Sequence, residues 1–552
     1  MQPSIGSNRG THHILSRWST STVLSWCWIL LCGILSVLAF LAVGRAPGTF
    51  DADVGSEAVL AKTLIDSGDF LVTPNFQYST EVQVIGHHLL LQIGILLFPH
   101  NWMLARVFTL VIIMCALVAS VRYCAISLDI WEQSRWIAGI LLIPFSIAYR
   151  NYFLYGMYYA IALCLNFVVF GICIRRKETR APRIVMLILP VVLGFICGVS
   201  GFRKLLLCCL PLFFAFAIQC IADSSGSTLK ERLVHIPQSC KSSLGLSGLV
   251  VASSVVGFLV NMCMIRPVVR SAHWGSVGLD PIFPSQIIDF TTAGFIQTWG
   301  SVEAEKMAST IGIASLCGII SSLIVLMAII ICIRHWTSLT SVQQSYTLFM
   351  SIAFLMSVAM YYLGGEQRPR YLTSVTIPFI LLVPIAMSLV QWIQPLQTLP
   401  ALCLSFLLFF QATGYAFWPA IKHVRSGEPY DEEKVVTWLL DNDYTSGYAC
   451  FWNCNNMVEI SNGTLDIWCL LDSNQPKTGK WWSLKLNKWM VEKRHLKEDP
   501  EGEVFLLLTK DERDQAKSAG IDMGKPAASI EGYCIYTYDS TDELRDALGV
   551  SG

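Results

Sequence analysis

Charge is what this chain has least of. Charged residues make up 14% of its 552 positions, against about a quarter in an ordinary soluble domain, so most of the chain is not built to face water. No G-x-x-x-x-G-K-[ST] loop occurs, which excludes a P-loop ATPase within the chain. The 19 cysteines contain no C-x-x-C pair with zinc spacing, and most lie inside apolar runs, where cysteine behaves as a small hydrophobe. No internal repeat of the kind many transporters carry is apparent.

What is abundant is apolar sequence, 54% of the chain. Runs of about 20 apolar residues, enough to cross a bilayer, recur from residue 23 to residue 419. Spans are expected at about 23–43, 103–121, 135–149, 153–174, 184–199, 204–222, 244–265, 307–333, 344–363, 371–391 and 399–419. The fold class is therefore an all-α polytopic membrane bundle of about eleven spans, with a C-terminal extracytoplasmic α/β domain. Residues 1–22 form a cytoplasmic N-terminus, 23–424 the membrane domain and 425–552 the tail domain. Within the membrane domain, 44–83 is an acidic first outer loop and 84–99 an interfacial helix.

Orientation follows from the basic loop Arg175-Arg176-Lys177-Glu178-Thr179-Arg180, which the positive-inside rule places in the cytoplasm with Arg9 and Arg17. An even number of crossings must separate the two. Four spans satisfy this, and counting 84–99 as a fifth does not, which is why it is read as interfacial. The zero net charge hides an asymmetry. Residues 425–552 carry 14 Lys/Arg and 23 Asp/Glu, a net of −9, and the rest a net of +9. An acidic tail argues against nucleic acid as a partner; membrane lipids remain one.

In the tail, 431–443 reads as a helix start and 448–452, 464–471, 504–509 and 533–538 as strands, with helices at 456–461, 510–519 and 541–548. The run Gly447-Tyr448-Ala449-Cys450-Phe451-Trp452-Asn453 reads as a strand entering an aromatic loop that can stack on sugars, or as core. Asn462-Gly463-Thr464 fits both a glycosylation sequon and a turn. Cys450, Cys454, Cys469 and Cys534 can form a disulfide if the tail faces an oxidising space.

Three constellations can do chemistry. The first is the acidic loop, where Asp51, Asp53, Glu57, Asp66, Asp69 and Glu81 face only Arg45 and Lys62 between 45 and 83. Carboxylates near hydrocarbon are costly and mark function. Asp53 or Asp51 can take a proton from an acceptor hydroxyl, with Glu81 as a second acid; alternatively Asp53 merely caps a helix over 54–66. The second is Gly364–Leu372, where Arg368 and Arg370 beside Tyr371 suit phosphate oxygens. The third is weaker: Arg150-Asn151-Tyr152 and Gly201-Phe202-Arg203-Lys204 place Arg150 and Arg203 at lipid-phosphate level. His87 and His88 point different ways on a helix, so no metal is assigned to them.

Together these features resemble the GT-C membrane glycosyltransferases, which include protein O-mannosyltransferases, lipid A aminoarabinose transferases and bacterial cell-envelope enzymes. Asp51-Ala52-Asp53 resembles the catalytic acid these enzymes keep after the first helix. Arg370-Tyr371-Leu372 resembles their late Arg-Tyr element at the lipid phosphate, and Tyr78–Glu81 with Gly447–Asn453 resembles a bacterial subset. Many relatives carry an adjacent Asp-Glu pair where this chain has Asp-x-Asp, which leaves open which aspartate acts and whether a divalent cation binds there. The resemblance implies transfer of a sugar from a polyprenyl-phosphate donor to a glycan, lipid or protein acceptor of the cell envelope. The alternatives are a flippase for lipid-linked sugars and a non-catalytic envelope-assembly subunit.

Overall fold

The computed structural model describes residues 20–174, 183–225, 228, 231–232, 237–269, 284–301, 306–364, 370–390, 399–471 and 480–550. Its larger part is helical: α1 (Thr20–Val43), α2 (Ala52–Ser67), α3 (His88–Leu97), α4 (Trp102–Ser127), α5 (Ala160–Ile174), α6 (Arg183–Val199), α7 (Phe202–Ala222), α8 (Gln238–Val260), α9 (Thr310–Arg334), α10 (Ser341–Gly364), α11 (Arg370–Thr376) and α12 (Leu399–Ala412). Eight helices among the described residues are long and apolar enough to cross a membrane. This is a multi-pass membrane protein.

The expected eleven spans exceed those eight. Residues 160–174 and 187–199 are apolar helices short of a full crossing. The segment 135–149 is not one helix. Ser134–Ile140 is helical, the chain then turns irregularly past Pro144, and only Ile147–Tyr149 is helical again. Proline inside a helix removes a backbone donor and clashes with the preceding turn. One of the four crossings counted before the basic loop is thus broken, and residues 175–182 of that loop lie outside those described. The helix expected over 84–99 is the ten-residue α3, about 15 Å long at 1.5 Å per residue, half of a hydrocarbon core.

Small residues let helices approach closely where no hydrophobic drive separates helix from lipid. Gly194 and Gly198 of α6 do this against α8: a methyl group built on Gly198 would lie 1.8 Å from the Ser254 carbonyl oxygen. The α6–α8 pair is therefore locked backbone to backbone.

The tail is a five-stranded mixed sheet in the order β3-β2-β5-β7-β6. Its strands are β2 (Ser446–Cys450), β3 (Asp466–Leu470), β5 (Val504–Thr509), β6 (Ala528–Ile530) and β7 (Tyr533–Tyr538). Strand β2 runs parallel to both β3 and β5, and β7 runs antiparallel to β5 and β6. Helices α13 (Asp431–Asp441), α14 (Phe451–Ile460), α15 (Lys510–Ser518) and α16 (Thr541–Ala547) accompany it. Strands β5 and β7 match expectation to the residue. The strand expected over 448–452 instead ends at Cys450, and Phe451 opens α14, so the aromatic segment is strand and helix rather than a sugar-stacking loop. Tyr448 and Phe451 are core residues and only Trp452 is exposed. The Asn462-Gly463 turn has positive φ at both positions, 57° and 76°, and Asn462 Oδ1 accepts the Trp102 N–H at 2.8 Å. None of Cys450, Cys454, Cys469 and Cys534 is in a disulfide.

The tail docks onto the first loop and α4. Strand β1 (Phe76–Gln77) pairs antiparallel with β4 (Val491–Glu492). Helix α2 packs on α14 so closely that a methyl group on Gly55 would lie 2.6 Å from the Asn455 backbone, and Asn455 Nδ2 donates to Ser56 Oγ at 2.7 Å. Arg106 of α4 makes a two-pronged, fully buried ion pair with Glu459, while its Nη2 also donates to the Val54 carbonyl at 2.7 Å. Arg45 pairs with Glu433 at 3.1 Å. One guanidinium thereby ties three elements, α2, α4 and α14, into a single framework.

Candidate functional site

The loop after α1 becomes α2 because Asp51 is a good N-cap: its backbone is extended and its Oδ1 accepts the Val54 N–H at 3.0 Å. The capping role expected of Asp53 therefore belongs to Asp51. Asp53 sits in the first turn of the helix, where a carboxylate faces the positive end of the helix dipole. Both are half-buried.

Behind them is a buried polar group. Glu57 is 7% exposed and His87 and His88 are 2% and 1% exposed; Glu57 Oε2 lies 3.4 Å from His88 Nδ1. Burial alone would raise the Glu57 pKa, but His87, His88 and Arg106 together hold it below the ordinary carboxylate value. Burial depresses His87 to about 4, so its imidazole is neutral. The His87 ring meets Tyr158 edge-on at 5.6 Å. The Tyr158 hydroxyl oxygen is buried without a hydrogen-bond partner, and its pKa is raised first by burial and then by the charges of Asp51, Asp53 and Glu57. Tyr158 thus has the first-loop acids on one side.

Tyr158 also lines a small cleft. Glu81 and Gln83 line it from the strap between β1 and α3, Tyr158 and Tyr159 from the junction before α5, Asn166 from α5, Arg203 and Lys204 from α7, and Ser374 from α11. Its apolar floor includes Ala162, Leu165 and Leu207. Arg203 Nε is 3.9 Å from Glu81 Oε2, too long for a direct hydrogen bond. The guanidinium lies 4.6 Å from the Tyr371 ring centroid and donates to Tyr159 Oη at 3.2 Å. Two cations against one carboxylate leave the lining net positive, and a planar guanidinium held between two phenols is pre-oriented for phosphate oxygens. Asn166 Oδ1 is buried and unpartnered.

The strap carrying Glu81 is held from several sides. Asn261 Nδ2 donates to the carbonyls of Val82 at 2.9 Å and Val199 at 2.6 Å. Arg266 donates to the Thr80 carbonyl, Ser200 Oγ bonds Ile85 at 3.3 Å, and Lys204 Nζ reaches the Ile85 carbonyl at 3.4 Å. Gly201 faces the Glu81 carboxyl with φ 117° and ψ 167°, a conformation essentially reserved for glycine; a methyl group there would lie 3.3 Å from the carboxyl carbon.

Of the residues singled out in the sequence, Glu81, Arg203 and Tyr371 come together at this cleft, while Asp51 and Asp53 are not among its lining residues. Arg150 does not line it; its Nη1 is committed to the Tyr415 carbonyl at 2.7 Å and its Nε to Asn151 at 2.9 Å. Arg368 and the side chain of Arg370 lie outside the described residues, and the backbone of Arg370 opens α11. Lys204 stands beside Arg203 in the third constellation; Asn166, Tyr159 and Ser374 were not assigned to the site, and a polar Asn inside an apolar helix was the signal that could have found Asn166.

Neither a family model nor a curated protein sequence matches this chain. Solved structures do. ArnT from Cupriavidus metallidurans in the apo state covers 94% of this chain and 98% of its own at a TM-score of 0.53 and 10% identity. The same enzyme bound to undecaprenyl phosphate covers 93% and 97% at 0.54 and 10%. The chain has the GT-C fold. The Archaeoglobus fulgidus oligosaccharyltransferase complexed with Zn and sulfate aligns over 89% of this chain and 69% of its own, at a TM-score of 0.46 and 11% identity.

Proposed function

We propose that this protein is a membrane glycosyltransferase that takes a sugar from a polyprenyl-phosphate-linked donor and places it on a cell-envelope glycan, lipid or protein acceptor at the extracytoplasmic face. The observation that carries this reading is the cleft itself. Glu81 from the first loop, cations from α7 and the Tyr371–Ser374 segment of α11 adjoin one cavity in a GT-C fold, and the solved ArnT of this fold binds undecaprenyl phosphate. A lipid tail supplies recruitment at about 0.8 kcal/mol per buried methylene, and the head group must supply selectivity. Arg203 and Lys204 take the donor phosphate and stabilise its charge as the sugar leaves; Arg368 and Arg370 stay assigned to the same task. Asp53, in the first turn of α2, orients or deprotonates the acceptor hydroxyl, with Asp51 the alternative base and Glu81 setting the position of Arg203. An inverting displacement needs no more than one base.

A divalent cation at Asp51 and Asp53 would draw its remaining ligands from the donor phosphate, because no third His, Cys, Asp or Glu ligand atom clusters with them among the described residues.

The test is turnover of polyprenyl-phosphate sugars by the purified full chain. Asp53→Asn should lower kcat by 10²-fold or more, as loss of a general base does, and Arg203→Ala should raise KM for the donor. Full turnover by the Asp51→Asn, Asp53→Asn double variant would end this assignment, and movement of lipid-linked sugar across vesicles without transfer would identify a flippase instead.

A further inference from the structure

Beneath the cleft lies a group the glycosyl-transfer reading does not use. Cys197 ends α6, while Cys208 and Cys209 lie in the first turns of α7, and their three sulfur atoms all lie within 4.8 Å of one another. All three residues are buried, at 0%, 3% and 0% exposure. Adjacent residues of an α-helix diverge by about 100°, so Cys208 and Cys209 would not ordinarily face one neighbour. Here residues Leu205–Cys209 form a π-helical turn, and such wide turns gather at functional sites.

We propose that Cys197, Cys208 and Cys209 form a three-thiolate site for a thiophilic divalent d10 cation of the Zn²⁺ class. Zinc–sulfur bonds of about 2.3 Å set sulfur atoms roughly 4 Å apart, so closure from the observed spacing needs each sulfur to move by less than about 1 Å, within rotamer adjustment. The α6–α8 lock at Gly198, beside Cys197, fixes one side of the site in advance. Cys197 and Cys208 also line the cleft, which supplies an entry path and an open fourth position. Binding displaces three thiol protons and changes no oxidation state. A divalent ion with three thiolates carries one negative charge, and Lys204, within electrostatic reach of Cys197 and Cys208, offsets it. The buried Ser254 hydroxyl lies beside Cys209, placed to donate to a thiolate sulfur as outer-shell groups do at metal sites. Such an ion would join α6 to α7 beside the cleft that Arg203 also lines.

The experiment titrates the reduced full chain with Cd²⁺ and follows the ultraviolet sulfur-to-cadmium charge-transfer band. Wild type should show a tight band saturating at one ion per chain. It should persist when the exposed Cys27, Cys115, Cys263 and Cys403 are replaced by serine and disappear in the Cys197→Ser, Cys208→Ser, Cys209→Ser variant. X-ray absorption on Zn²⁺-loaded wild type, which needs no variant to fold, should find three sulfur neighbours at about 2.3 Å. One sulfur or none, an unchanged band in the triple variant, or a disulfide joining Cys197 to either partner would overturn the site. None of these readouts requires glycosyl transfer, so the site and the enzyme reading stand or fall separately.

Discussion

Glu459→Gln isolates the contact on which the docking of the tail most depends. Arg106 and Glu459 are both about 3% exposed, so neither can turn to solvent when its partner is lost. Glutamine keeps the shape and an acceptor oxygen but removes the charge, leaving a buried guanidinium without its ion-pair partner, held by the Val54 carbonyl and the glutamine oxygen, with Nη1 already unpartnered. Removing one member of a buried pair costs about 3–5 kcal/mol. At 1.4 kcal/mol per tenfold, the opening equilibrium of the α2–α14 contact should rise by roughly 10²–10³-fold or more. Hydrogen exchange of the amides of α14 and α2 measures that ratio, with those of α9, remote from the contact, as the control. An Arg106→Met, Glu459→Leu double variant should recover most of the lost protection, because a buried ion pair is often replaceable by apolar groups at little net cost. Protection in Glu459→Gln within a factor of two of wild type, or a double variant as open as the single, would refute this account of the interface.

Asp51→Ala should cost about 1 kcal/mol through loss of the N-cap, with turnover falling no more than that loss of helix predicts, whereas Asp53→Asn should leave stability intact and abolish turnover; thermal unfolding beside kinetics separates them. Gly201→Ala should cost about 1–3 kcal/mol of backbone strain and displace the Glu81 carboxyl, read as a raised donor KM. Because His87 is held neutral to about pH 4 while an unfolded histidine protonates near 6.5, the unfolded chain binds the extra proton between those values. Stability should therefore fall as pH drops from about 6.5 to 4, by up to about 3 kcal/mol, and His87→Gln should flatten that profile in a denaturation series. Arg203→Lys, which keeps the charge but loses the planar fork held between Tyr159 and Tyr371, should recover only part of the donor affinity lost in Arg203→Ala, as measured by donor binding.

Strands β5 and β7 were legible because six-residue runs of Val, Leu, Ile and Tyr have one way to be buried in a sheet. The segment 448–452 was not, since Phe451 and Trp452 suit strand and helix alike and Cys450 gives no conventional cap. The break within 135–149 escaped an averaged hydropathy reading, which does not see that Gly139 packs on Trp28 and that Pro144 cannot continue a helix. Asp51 and Asp53 were both visible as acids, but only the extended backbone of Asp51 and its bond from the Val54 N–H show which of them caps. Cys197, Cys208 and Cys209 were not singled out among the cysteines of the apolar runs, and they come together only through the packing of α6 on α7.

The amino-acid sequence alone determined that this chain lives in a membrane, that a run of carboxylates follows its first helix, and that an acidic sheet domain closes it. These are properties of composition and local period, set by the free energy of transferring each segment from water. The tertiary structure decided that Glu81 meets Arg203 and Tyr371 around one cleft, which Tyr158 also lines. That convergence is enforced by backbone contacts at Gly55 and Gly198 and by one buried ion pair, interactions between distant segments that leave no periodic trace in the sequence.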